Sequence, residues 1–260
     1  MSALIRRWRT AFGFLVLFVV WEAGVHLFGV KAYILPPPSE VVRALAKNWH
    51  PVLVSAGSTS LEIVAGYALA IVVSIPLAIG IVFSRAMEET VYPVVVFLQI
   101  VPKIAVAPLF IIWFGFGFTP KLLLVFLLSF FPIVIASIAG FRAIDPEIMD
   151  FVHTTGAGSL RAFVKVRLPY ALPEIFTGLK VGAAISATAA VVAEFVASDR
   201  GLGYLLLQYN GDLNTQMVFA TVMVLGAIGL IVYFCVELVE RLVIPWHASQ
   251  RDRHGELGLT

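Results

Sequence analysis

Charged side chains are scarce in this 260-residue sequence, of which they make up 13%. A typical soluble domain carries about a quarter charged residues, which it needs to face water on every side. Hydrophobic residues make up 60% of the chain, and its mean hydropathy is +0.96. These values exclude an ordinary soluble protein, and we expect lipid to cover much of the surface.

Cysteine and histidine offer little for chemistry. The single cysteine, Cys235, lies in an apolar run, so the chain can form neither an internal disulfide nor a thiolate metal site. The histidines are scattered, and neither an H-E-x-x-H nor a G-x-S-x-G motif occurs. The sequence therefore predicts no enzyme, no resident cofactor and no bound metal. The histidines are His26, His50, His153, His247 and His254.

The chain is instead rich in long apolar runs, which lack the alternation of a membrane β-barrel. Each run has about the 20 residues that a helix needs to cross a bilayer. We therefore predict an all-α polytopic membrane protein with about six transmembrane helices, forming one domain over residues 1–260. A tail and first helix would occupy 1–30, a core bundle 53–243 and a C-terminal tail 244–260. The runs cover about residues 11–30, 59–84, 91–114, 121–140, 172–197 and 216–240.

The distribution of Lys and Arg predicts the side of the membrane on which the termini lie. If the N-terminus is cytoplasmic, eleven of the 18 basic residues fall in cytoplasmic segments and five in external segments. Basic residues favour the cytoplasmic side of a membrane. Both termini are therefore predicted to be cytoplasmic, with Arg6, Arg7 and Arg9 before the first helix and Arg251 and Arg253 in the tail.

The longest predicted cytoplasmic connection, residues 141–168, has the pattern of two short helices around glycines. Asp145 before Pro146 is typical of a capped helix start. Such a loop is suited to enter a groove of another protein, or to rest on lipid headgroups. The second helix would present an apolar face, formed by Leu160, Phe163 and Val164.

A spaced set of residues runs through this loop. Asp150-Phe151-Val152 are followed after three residues by Gly156, and after nine more by Val166-Arg167-Leu168-Pro169. The set resembles the E-A-A-x3-G-x9-I-x-L-P signature of the permease subunits of bacterial ATP-binding-cassette importers. The spacing matches throughout, with Asp for Glu, Phe-Val for Ala-Ala and Val for Ile.

The resemblance extends over nearly the whole chain. It is to the permease branch that handles nitrate, sulfonates, taurine, pyrimidine precursors and related compounds. It is carried by Leu35-Pro36 through Glu40-Val41, Trp113-Phe114-Gly115, Phe131-Pro132, Asp145-Pro146-Glu147, Ala193-Glu194 and Gly201-Leu202-Gly203-Tyr204.

The resemblance implies a type I importer in the bacterial inner membrane, with no nucleic acid partner. Two permease copies, as a homodimer, would form the pathway for a small polar or anionic solute. Two ATPase subunits would bind the coupling loops, and a periplasmic or lipid-anchored binding protein would deliver the solute. The chain has no G-x4-G-K-[ST] loop, so the partner subunit would use the ATP. The coupling residues would be Asp150, Gly156, Ala157, Gly158, Leu160, Arg161, Phe163, Val166, Leu168 and Pro169.

Four ionisable side chains fall inside the predicted spans, where a charge is costly and often functional. Glu62, where the resembled branch has a basic residue, could line the pathway or reach water at the helix end. Lys103 could contact an anionic substrate, or satisfy carbonyls freed by Pro102 and neighbouring prolines. Lys180 could line the pathway or snorkel to the interface. Glu194 could serve in the pathway, in gating or in neither.

Two other classes of protein compete with the importer permease. A secondary transporter or channel would explain the spans, but it leads one to expect internal repeats and paired broken helices, and no convincing repeat is present. A membrane-embedded enzyme would need a nucleophile–base pair or metal ligands. The importer permease also explains the loop motif, and it is the function that the sequence predicts.

Overall fold

A computed structural model describes residues 2–246, apart from the side chains of residues 2–11, 14, 153 and 197. The predicted C-terminal tail from residue 247 onward lies outside the described residues. So do the side chains of Arg6, Arg7 and Arg9, on which part of the predicted orientation depends.

The described part of the chain consists of helices and their connections and contains no strand, which confirms the predicted all-α class. A 3-10 turn, Lys103–Val106, and a π-helical turn, Phe163–Arg167, interrupt the α-helices. The helices are α1 (Ser2–Leu27), α2 (Pro38–Lys47), α3 (Trp49–Phe83), α4 (Arg85–Ile100), α5 (Ala107–Phe114), α6 (Phe118–Arg142), α7 (Pro146–Thr154), α8 (Ser159–Ala162), α9 (Leu168–Ala197), α10 (Leu202–Gly211) and α11 (Thr215–Val243).

Among the described residues, four of the six predicted spans are found as single helices and a fifth as a bent pair. The helices α3, α6, α9 and α11 are long and apolar enough to cross a membrane. The run predicted over 91–114 is a broken span, in which α4 and the segment Lys103–Phe114 meet at 91°. Pro102 lies at the break, where its ring and missing N–H prevent the helix from continuing. In α1 the apolar segment that the structure describes, Leu15–Leu27, is shorter than a full span.

Helix α9 lies at the centre of the bundle, in contact with α3, α5, α6, α10 and α11. Its closest approach is to α6 and depends on small residues. A Cβ atom at Gly178 would lie 2.9 Å from the Pro132 carbonyl oxygen, and one at Gly140 would lie 2.8 Å from the Ala171 carbonyl oxygen. Because only hydrogen fits at these positions, the two backbones pack directly against each other.

The bundle has two ends that matter for function. The loop end carries residues 141–168, and the α10 end carries α2, α10 and the start of α11. Two polar side chains stabilise helix starts at the α10 end: Glu22 of α1 accepts hydrogen bonds from the Ser39 amide at 3.0 Å and hydroxyl at 2.7 Å, and Asn214 caps α11. Helix α9 runs from one end to the other.

Candidate functional site

The start of the loop forms as the sequence predicts. The Asp145 carboxylate accepts a hydrogen bond from the Glu147 amide at 2.9 Å, at the first turn of α7. Gly156 follows α7 with a φ of +75°, a left-handed conformation that glycine adopts without steric penalty. Gly158, before α8, has an ordinary φ of −62°. The corner between α7 and α8 therefore requires glycine at 156 but not at 158.

Large apolar side chains project from the loop end. Phe151 is 69% exposed, Leu160 77% and Val164 50%. Apolar side chains clustered on an exposed loop are typical of a surface that contacts a partner. Of the other predicted coupling residues, Asp150, Gly156, Gly158 and Arg161 are exposed, and Ala157, Phe163, Val166, Leu168 and Pro169 are half-buried.

The predicted apolar face of the second loop helix is wrong in one member. Phe163 packs against the bundle, with ring centroids 5.3 Å from Phe83 and 5.8 Å from Phe141. It begins a π-helical turn, whose wider repeat shifts side-chain directions relative to an α-helix. Arg167 anchors the same turn by donating to the Phe141 carbonyl at 3.0 Å. The exposed surface is therefore separate from the anchor.

At the α10 end, Glu62 of α3 and Lys121 of α6 form a buried ion pair. Their side chains are 1% and 2% exposed. The Lys121 ammonium also donates to the Ser198 hydroxyl at 3.0 Å, at the end of α9. A buried carboxylate needs such a partner, because desolvation penalises an isolated charge. Glu62 therefore does not simply reach water.

Glu194 lies beside this pair and stabilises the start of α10. Its carboxylate, 1% exposed, accepts hydrogen bonds from the Thr59 hydroxyl at 2.6 Å and from the Gly203 amide. The Thr59 oxygen in turn accepts from the Leu202 amide at 2.8 Å. Two amides that the first helical turn leaves without helix partners are thus satisfied. We call Thr59, Glu62, Lys121 and Glu194 the α10-end cluster.

The glycines of the Gly201-Leu202-Gly203 segment make room for the Glu194 carboxylate. A Cβ atom at Gly201 would collide with that carboxylate, and one at Gly203 would lie 2.8 Å from the Glu194 Cβ. Gly201 also has a φ of +109°, which side chains other than glycine rarely adopt. The segment and the carboxylate therefore form one unit.

Lys180 has a partner within the bundle. Its ammonium lies 3.0 Å from a carboxylate oxygen of Glu240 on α11. Lys180 is 17% exposed and Glu240 2%. The sequence alone did not indicate this partner of Lys180, because the two residues are distant in the chain.

Lys103 lies at the break between α4 and α5. Its ammonium donates to the Gln99 carbonyl at 2.6 Å and lies 4.7 Å from the centroid of the Phe131 ring. The first contact satisfies a carbonyl that the end of α4 leaves free. The structure therefore brings Glu62 and Glu194 together and places Lys103 and Lys180 in two other surroundings.

Sequence reasoning missed Thr59, Lys121 and Ser198 as members of this polar network. Lys121 stands at the edge of an apolar run and is typical of an interfacial residue there. Buried ionic residues must be paired, and Glu62 alone was a signal that a cation lies nearby. Among residues 2–246, no three His, Cys, Asp or Glu side chains that the structure describes come together as a metal site.

Known transport permeases match this chain over most of its length. The family profile described as "Binding-protein-dependent transport system inner membrane component" matches residues 62–245. The riboflavin transport system permease protein of Chloroflexus aurantiacus is 36% identical, over 90% of this chain and 88% of its own length. The taurine transport system permease protein of Escherichia coli is 30% identical, over 90% of this chain and 88% of its own.

A solved structure shares the fold. A chain in inward-facing conformations of the MetNI methionine ABC transporter matches with a TM-score of 0.66, covering 76% of this chain and 98% of that chain. The sequence identity is 16%, so this likeness concerns the arrangement of helices alone.

Proposed function

The chain belongs to the family of binding-protein-dependent transport system inner membrane components, and we propose that it forms the pathway of an importer for a small polar or anionic solute. It is a multi-pass membrane protein and a transporter subunit. Beyond this family membership, we propose a solute class, an assembly, an orientation in the membrane and a role for each end of the bundle.

The exposed loop is the observation that carries the proposal. A large apolar surface formed by Phe151 and Leu160 would be unfavourable in water without a partner. The loop is also held in place, because Phe163 and Arg167 anchor it to the bundle. A fixed apolar surface suits a cleft in an ATPase subunit. Movement of that subunit would then pass through the loop to α9. A secondary transporter or channel gives no reason for such a surface.

The assembly that we propose has two copies of this chain as a homodimer, two ATPase subunits and one solute-binding protein. The ATPase subunits would bind and hydrolyse ATP, and this chain would hold no cofactor. In support, the broken span leaves apolar side chains exposed in the single subunit, including Ile100 (79%) and Ile112 (75%). A second copy and lipid would cover them.

The proposed orientation places the loop end and both termini in the cytoplasm. The excess of basic residues in the corresponding segments supports it. The α10 end would then face the binding protein. Similar permeases are named for the transport of riboflavin, formylaminopyrimidine, taurine and aliphatic sulfonates, so we propose a broad solute class.

Co-purification tests the proposal. The tagged chain is isolated from its native membrane in mild detergent, and its partners are identified by mass spectrometry. We expect an ABC ATPase with the wild-type chain and with Gly158→Ala, whose backbone tolerates a side chain. Gly156→Val, which forces a β-branched residue into a left-handed conformation, should lose the ATPase while the chain still inserts. An ATPase that is absent from the wild type, or bound equally by Gly156→Val, would contradict the proposal.

A further inference from the structure

The break between α4 and α5 lies near the middle of the bundle. Lys103, in the 3-10 turn, places its ammonium 4.7 Å from the ring centroid of Phe131, which lies about halfway along α6. Because α6 is a full span, this contact places Lys103 at mid-depth in the membrane. A lysine at that depth faces lipid only at a considerable energetic penalty.

The surface around Lys103 is exposed in the single subunit and mixed in polarity. Gln99 and Ala105 are exposed, Ile100 and Ile104 are 79% and 56% exposed, and Lys103 itself is half-buried. The backbone between Ile100 and Ala107 also leaves the α-helical pattern here. Irregular backbone at membrane depth is tolerated where it is buried in protein or lines a water-filled cavity, but not against lipid. This surface therefore faces protein or a water-filled cavity in the assembly, and not lipid.

Lys103 differs from the other three ionisable residues predicted within the spans. Glu62 is paired with Lys121, Lys180 with Glu240, and Glu194 is bonded to a hydroxyl and an amide. Lys103 forms no ion pair with any residue that the structure describes. Its ammonium instead contacts the Gln99 carbonyl and the face of the Phe131 ring. An ammonium group has three donors, so it retains capacity for an anion.

We propose that Lys103 contacts an anionic group of the solute, a carboxylate, sulfonate or phosphate, as the solute passes the broken span. The inference rests on the proposed function and narrows its solute class. The Gln99 carbonyl and the Phe131 ring hold the ammonium at the turn, where its charge is available to the pathway. One cation without a second basic residue binds weakly, which suits a site that the solute must also leave.

Charged thiol reagents test this without knowledge of the solute. In a Cys235→Ala background, Ala105→Cys provides a thiol two residues from Lys103, and Gly57→Cys on α3, an exposed position with no charged neighbour in the sequence, provides the reference. The transporter, with its ATPase, is held in lipid nanodiscs so that both sides are accessible. The probes are methanethiosulfonate ethylsulfonate, which is anionic, and the ethyltrimethylammonium reagent, which is cationic. The ratio of their modification rates reports the local charge.

We expect the anion-to-cation ratio at residue 105 to exceed the reference ratio on the order of ten-fold, as a nearby charge in a partly hydrated site would produce. Lys103→Gln should remove the excess, and Lys103→Arg should retain it. A ratio equal to the reference while Lys103 is present, or no modification at 105, would overturn the inference even if Lys103→Gln failed to assemble. In either case a retained ATPase leaves the proposed function standing, whereas loss of the ATPase from the wild-type preparation would contradict that function itself.

Discussion

The two ends of the bundle differ in the side chains that they bury and expose. The α10-end cluster buries charged side chains and links them by an ion pair and hydrogen bonds between α3, α6, α9 and α10. The loop end exposes Phe151 and Leu160, and nothing among the residues that the structure describes covers them. A buried polar network favours one arrangement of its own helices, because any other leaves a charge without a partner. An exposed apolar surface instead favours association with another protein.

Helix α9 connects the two ends. It begins at Leu168, directly after the anchored turn of the loop, and carries Glu194 near its other end. The distance between these residues along the helix is about 39 Å at 1.5 Å per residue. A displacement of the loop would therefore be carried along α9 to the start of α10. The comparison predicts that changes at the α10 end alter the fold, and changes at the loop end alter partner binding.

The largest expected effect is at the buried ion pair. Lys121→Met leaves the Glu62 carboxylate buried without its cation, which should lower the free energy of unfolding by about 3–5 kcal/mol. The double variant Glu62→Met, Lys121→Met removes both charges and should be close to wild type. Denaturant titration in detergent measures both. If the single and double variants were equally destabilised, the pairing would not be the source of stability.

Next comes the glycine that accommodates Glu194. Gly201→Ala adds a Cβ atom against the carboxylate in a left-handed conformation, and should destabilise the chain by about 2–4 kcal/mol. Gly211→Ala, at the other end of α10, is the matched control, since nothing lies within 4 Å of its added Cβ atom. Equal melting temperatures for the two variants would show that Gly201 does not constrain this end.

The smallest of these effects concerns Thr59, which bonds both Glu194 and the Leu202 amide. Thr59→Val keeps the shape but removes the hydroxyl, at an expected loss of about 1–2 kcal/mol in unfolding free energy. Thr59→Ser retains the hydroxyl and should recover most of the loss. Protection of the Leu202 and Gly203 amides in hydrogen exchange gives the local measurement. Unchanged protection in Thr59→Val would contradict the proposed capping of α10.

Local patterns in the sequence were sufficient for the helices and for the start of the loop. The apolar runs predicted the four long spans and the broken one, and Asp145-Pro146 predicted the first turn of α7, because both depend on neighbouring residues. The partner of Glu62 was not predictable in this way. Lys121 is 59 positions away, and only the packing of α3 against α6 brings the two together.

Two further differences have separate physical causes. The direction of Phe163 depends on a π-helical turn, which the α-helical period applied to the sequence does not anticipate. Pro102 was visible as the cause of the break before Lys103, but the 91° angle of the bend depends on how α5 packs against α6 and α9. Pathway and coupling roles for individual residues stay predictions, since they depend on partner chains.

The most direct test applies one measurement of stability and one of ATPase binding to a variant from each end. Leu160→Asp places a charge on a side chain that is 77% exposed, so it should leave the unfolding free energy nearly unchanged and abolish ATPase co-purification. Lys121→Met should lower the unfolding free energy, and the fraction that remains folded should still bind the ATPase. If Leu160→Asp bound the ATPase as the wild type does, the loop end would not be the partner surface, and the central claim would be wrong.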